Sequence, residues 1–146
     1  MKSLLTTMAL LAGLALIPPE IRAEVLGALT SDDVNAIHAA VQSQLDALAQ
    51  DDAARAFDLA TSEKRMQVGT PDNFLRMMKY QYTPIYRNLG VIFSMPEVLD
   101  GDPIQAVRIT DGDGHVWLAI FWMQRDQDTK WKIDGCQLFE TDSVSI

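Results

Sequence analysis

A chain of 146 residues, 48% hydrophobic and 22% charged, has the composition of one globular domain and enough apolar material for a single core. Its formal charge of −8, with 20 acidic against 12 basic residues, excludes the clustered lysine and arginine that displace counterions from nucleic-acid phosphates. One cysteine, Cys136, excludes an internal disulfide.

The first residues read as an address rather than as part of the core. Lys2 supplies the positive end, Ser3 to Ile17 is largely apolar, Pro18-Pro19 stops a helix, and Ala23 offers a small residue for cleavage. A signal peptide over residues 1–23 is expected, with export to the periplasm. The run is broken by Thr6-Thr7 and falls short of the roughly 18 apolar residues of a membrane span, so no stable anchor is expected after cleavage.

Residues 31–140 are expected to form the single domain and 141–146 a polar tail. Ser31 can cap a first helix, with Asp32 and Asp33 on its positive end. Val34, Ile37, Val41, Leu45 and Leu48 then recur at spacings of three and four, one apolar stripe over about five turns. Asp51-Asp52 break it and begin a shorter helix through Ala60. Thr61 to Gly69 is polar without a period and reads as a loop. Thr70-Pro71-Asp72 is a helix start, and the third helix runs from there until Pro84 disfavours helix at Thr83.

From Val91 the period changes to two. Strands are expected at Val91 to Val98, Ile104 to Thr110, His115 to Gln124 and Trp131 to Glu140. The turn formers Asp100-Gly-Asp-Pro103, Asp111-Gly-Asp-Gly114 and Asp126-Gln-Asp-Thr129 separate them, as in an antiparallel meander. Pro96 marks the first as an edge strand. The third is apolar on both faces, Trp117, Ala119, Phe121 and Met123 on one and Val116, Leu118, Ile120 and Trp122 on the other, which predicts a central strand. In the last, Trp131 and Ile133 share a face that Cys136 and Leu138 rejoin only if a bulge lies at Asp134-Gly135.

Helices followed by a curved meander resemble the nuclear transport factor two-like superfamily, the cone-shaped α+β fold of ketosteroid isomerases and polyketide cyclases. Gly69-Thr-Pro-Asp-Asn-Phe74, Tyr82-Thr-Pro-Ile-Tyr-Arg87, Gln105-Ala-Val107 and Trp131-Lys-Ile-Asp-Gly-Cys136 resemble signatures of an exported bacterial family classed as a domain of unknown function. The resemblance spans about Asp33 to Leu138. It implies three N-terminal helices packed in a curved four-stranded antiparallel sheet, with a pocket between them. His38, Tyr82, Tyr86, Arg87 and Trp117 are the residues it directs there, with Cys136 as a further candidate. The opposite face, through Leu118, Ile120 and Trp122, is left apolar and implies a homodimer.

Three phenols and a guanidinium within Tyr80 to Arg87 suit a polar-mouthed pocket in which Arg87 grips an anion, or else tyrosines packed for structure. His38 offers an acid–base group, but the isomerase chemistry also needs a carboxylate after the second helix, and Arg65 to Gly69 has none. Asp111 to His115 lacks the Gly and Glu positions of a calcium loop, and two histidines with one cysteine make no zinc set, so neither metal nor cofactor is expected. Cys136 sits among apolar residues that disfavour a thiolate. Glu63-Lys-Arg65 and Arg125 to Lys130 read as solvated charge. The expected function is a non-catalytic binding module for a small acidic or amphipathic ligand or an envelope protein partner. The alternatives are an isomerase or cyclase and a structural homodimer with a filled cone.

Overall fold

Thr30, not Ser31, closes the first turn of helix α1 (Ser31–Ala49). Its hydroxyl accepts from the Asp33 backbone N–H while the Asp33 carboxylate accepts from the Thr30 backbone N–H, a reciprocal capping box that Ser31 is one position too late to make. The computed structural model describes residues 16–18, 21 and 27–141. The expected leader and tail therefore fall, apart from those few positions, outside the described residues. No described helix is long and apolar enough to cross a membrane.

The stripe on α1 is buried as its spacing requires: Ile37, Val41, Leu45 and Leu48 face the core, each fully buried aliphatic chain contributing about 1.5–3 kcal/mol. Asp52 caps α2 (Ala53–Asp58), and Thr70 caps α4 (Pro71–Gln81) with Pro71 at its first position. Between them the polar stretch after Thr61 is a helix, α3 (Ser62–Val68), capped by Thr61. It shows no apolar period because none of its residues is buried. Polar ties hold it instead, as described below. α4 ends before Pro84 as expected, but Thr83, where helix was expected to be disfavoured, opens a further short helix, α5 (Thr83–Tyr86), with Pro84 in its first turn, where a missing N–H costs no intrahelical bond.

The strands are β1 (Gly90–Phe93), β2 (Glu97–Leu99), β3 (Asp102–Thr110), β4 (Val116–Arg125) and β5 (Trp131–Glu140). They form one antiparallel sheet in the order β1-β3-β4-β5, with β2 also on β3. Five strands replace the expected four because the first breaks near Pro96, which cannot donate to a ladder. Gln105 Nε2 bridges the break by donating to the Ser94 carbonyl at 2.6 Å. Asp100 and Gly101, both at positive φ, make the tight turn from β2 to β3.

β4 is central, paired on both sides, and its two faces diverge as the alternation predicts. Ala119, Phe121 and Met123 pack on the helices with Val107, Ile109 and Ile133, while Leu118, Ile120 and Trp122 point away. The bulge on β5 is present. Register passes from Trp122↔Gly135 to Met123↔Ile133, leaving Asp134 unpaired and returning Cys136 and Leu138 to the helix side. The result is an α+β domain with helices on one face of a bent antiparallel sheet.

Candidate functional site

The bulge opens a cavity. About 140 Å³ lies between α1, α3, α4 and the bent end of β5, partly enclosed, with Phe74, Met77, Met78, Phe121 and Ile133 as apolar wall. Its polar lining is Gln44, Lys64, Tyr82 and Cys136, with Gly135 at the kink. The volume is close to that of a dry apolar cavity that takes benzene, about 150 Å³, and below the roughly 300 Å³ at which pockets for drug-sized ligands begin.

Gln44 is brought here by the helical period itself. It lies three residues after Val41 and four before Leu48 on the buried side of α1, and is 2% exposed. Its Oε1 is buried without any hydrogen-bond partner. Lys64 comes from α3, and Nζ lies 3.9 Å from where a Cβ on Gly135 would stand. Among the described residues the ion pairs engage Arg65, His115, Arg125 and Lys132, and Lys64 is in none of them. Burial pushes the Cys136 thiol up to about 12 against the opposing pull of Lys64. Burial, and then the charge Cys136 would carry, push the Tyr82 phenol above its ordinary value of 10.0. Both groups are neutral near pH 7, so the cavity holds one cation, one amide and two uncharged weak acids.

Of the expected residues Tyr82 lines this cavity, as does the further candidate Cys136. His38 is exposed on α1 with its ring 4.3 Å from that of Phe93 on β1. Tyr86 is buried beneath α1 and donates its hydroxyl to Asp51, a hydrogen bond that first, and burial second, raises its pKa. Arg87 is exposed, with its guanidinium carbon over the Tyr86 ring at 4.5 Å from the ring centre, and also donates to the Tyr86 oxygen at 3.2 Å. Trp117 stands at the β3–β4 hairpin end, donating from Nε1 to Asp111 at 2.9 Å. These four groups have partners away from the cavity. Gln44 and Lys64 carry no motif, and only the placement of Gln44 on the α1 stripe would have marked it beforehand.

Two polar ties fix the cavity walls. Ser62 donates from both backbone and hydroxyl to Asp126, and Arg65 lies 3.7 Å from the same carboxylate. Thr61 donates to Asp134, the unpaired residue of the bulge, at 2.9 Å. Arg65 and Asp126 belong to the runs expected to be solvated, and here, with Thr61, Ser62 and Asp134, they dock α3 on the sheet. At the start of α1, Asp33 accepts from Arg125 and, at 3.2 Å, from Trp131 Nε1. Burial works against that carboxylate, but its bonds from Thr30, Arg125 and Trp131 outweigh it and hold its pKa below the ordinary 3.8.

The matching region of known sequence is almost the whole domain. The pattern described as domain of unknown function DUF4864 matches residues 30–146. The chain belongs to this DUF4864 family. No curated protein and no solved structure matches it. Within this DUF4864 domain the hairpin also gathers Asp111, Asp113 and His115 within 4.8 Å. Asp111 there already accepts from the Asp113 and His115 backbone N–H groups at 2.9 Å and from Trp117. The Trp117 bond is the main cause of its lowered pKa. That is the bonding of a closed turn rather than of an open metal site.

Proposed function

We propose that this DUF4864 domain is an exported, non-catalytic binding module that holds one small amphipathic molecule with an acidic end in the cavity between the helices and the β5 bulge. The observation that carries this reading is the mismatch of polar groups at the cavity. Among the described residues the buried side-chain polar atoms are paired except the Oε1 atoms of Gln44 and Gln105, and of these two residues Gln44 lines the cavity, where the neighbouring Lys64 has no counter-ion. Leaving such groups unpaired costs stability that a ligand restores on binding. A binding role rather than catalysis is favoured by the chemistry of the lining, since a thiol at about 12 and a raised phenol supply neither nucleophile nor base near neutral pH.

The nuclear transport factor two-like cone is the shape we infer, supported by the helix-then-meander order and by a bulge that bends the last strand around the helices. Export is inferred from the leader pattern. Intact-mass measurement of the secreted chain should give a start at Glu24, and a full-length mass from that fraction would remove the inference. A homodimer through the outer sheet face is inferred from Leu118, Ile120 and Trp122, of which Ile120 is itself buried, together with Ile92 and Phe139, which flank Leu118 across the sheet with Arg108 between Ile92 and Leu118. Ile92 and Phe139 remain 66% and 46% exposed. Sedimentation at micromolar concentration should give a dimer that Leu118→Lys converts to monomer.

Ligand-observed NMR with a library of small acids and neutral aromatics tests the binding reading. Hits should be lost when Ala60→Leu fills the cavity while the fold, judged by amide dispersion, is kept. Hits indifferent to that change would place binding elsewhere and end the proposal.

A further inference from the structure

The polar groups at the cavity have an order, and that order selects a ligand. Gln44, 2% exposed on the core side of α1, is the buried polar group of the lining. Lys64, half-buried on α3 beside the backbone of Gly135, is the polar group of the lining that also reaches solvent. Between them the walls are ring and thioether carbon, with no further side chain able to bond a polar ligand centre apart from Tyr82 and Cys136. We propose, resting on the binding reading above, that the ligand is a small hydroxylated monocarboxylate of about benzoate size. Its ring or short branched chain fills the apolar space, its hydroxyl bonds the Gln44 amide, and its carboxylate meets Lys64.

Each part follows from a constraint. The volume of about 140 Å³ admits one six-membered ring and little more. A hydroxyl both donates and accepts, so it can bond the Gln44 amide whichever end, Nε2 or Oε1, is turned to the cavity. A single lysine suits a single negative charge, and a second would meet a chain whose net charge is already −8. Among the described residues no carboxylate lines the cavity, which argues against an amine. A sugar would bring more hydroxyls than the wall can bond, and each unpaired one would weaken binding. The thiol, pushed up to about 12, stays neutral beside Lys64 and leaves its charge for the ligand.

Isothermal titration with 4-hydroxybenzoate, benzoate and phenol tests this on the mature chain. 4-Hydroxybenzoate should bind tightest. Gln44→Met keeps the side-chain length and should weaken 4-hydroxybenzoate by about tenfold while leaving benzoate unchanged. Lys64→Gln should weaken both acids by about tenfold and leave phenol unchanged. Gln44→Leu repeats the first arm should the methionine variant not fold, and the wild-type comparison needs no variant at all. Benzoate binding as tightly as 4-hydroxybenzoate, or phenol as tightly as either acid, overturns this inference and leaves the binding reading standing. Binding of none of the three, together with no hit lost on Ala60→Leu in the wider library, overturns both.

Discussion

The two ends of the space between helices and sheet are built from similar residues and behave in opposite ways. At the α5 end, Tyr86, Asp51 and Arg87 form a closed set: the phenol donates a hydrogen bond to the carboxylate and the guanidinium lies over the phenol ring. At the bulged end of β5, Gln44 and Lys64 stand beside an apolar cavity with an unpartnered oxygen and an unpaired charge. The difference teaches that residue type does not identify a site. What distinguishes the bulged end is unspent bonding capacity beside an empty volume.

The comparison breaks first if the cavity wall is not core. Phe121 is fully buried opposite Cys136, and Phe121→Ala should cost about 3–5 kcal/mol in urea unfolding. A loss below about 1 kcal/mol would mean the wall collapses freely, which a cavity held open by the bulge should not do. The closed set at the other end comes next. Tyr86→Phe should cost about 1.5 kcal/mol by removing a hydrogen bond to a charged group, with ligand affinity unchanged.

Asp33 gives a pH test of the frame around both regions. Its folded pKa is below the ordinary 3.8, so its stabilisation is complete above that value and is lost as pH falls through the lower folded value. Asp126, held down chiefly by its bond from Ser62, contributes in the same direction. Thermal midpoints should therefore fall below about pH 4. Asp33→Asn should lose about 1 kcal/mol at pH 7 and show a shallower acid limb, and an unchanged limb would dismiss Asp33 as a tie.

Gln44→Met sharpens the contrast by its sign. Removing an unpartnered buried oxygen should leave stability unchanged or raise it by up to about 1 kcal/mol, whereas the same kind of deletion at Tyr86 lowers it. A clear loss would show that Gln44 is bonded in solution and would close the distinction. The smallest effect is expected at Arg87, exposed and paired only to its neighbour. Arg87→Ala should stay within about 0.5 kcal/mol and leave ligand binding as it was.

Much of this was legible in the chain. The α1 stripe, the Thr70-Pro71 start, the central position of β4 and the bulge at Asp134-Gly135 all follow from periods and caps, because burial of a repeating face leaves a repeating mark. α3 left none. It is held by Thr61, Ser62 and Arg65 bonding to Asp134 and Asp126, partners more than sixty residues away, so its polar sequence reads as a loop.

The sequence by itself determined the elements, the two-faced central strand and the placing of Cys136 in apolar surroundings. Those are local or periodic properties, set by dihedral preference and by which face must leave water. Only the tertiary structure decided where bonding capacity is left over. Pairing Tyr86 with Asp51 and Trp117 with Asp111, while leaving Gln44 and Lys64 at the cavity, depends on distances across packed elements that no spacing along the chain encodes.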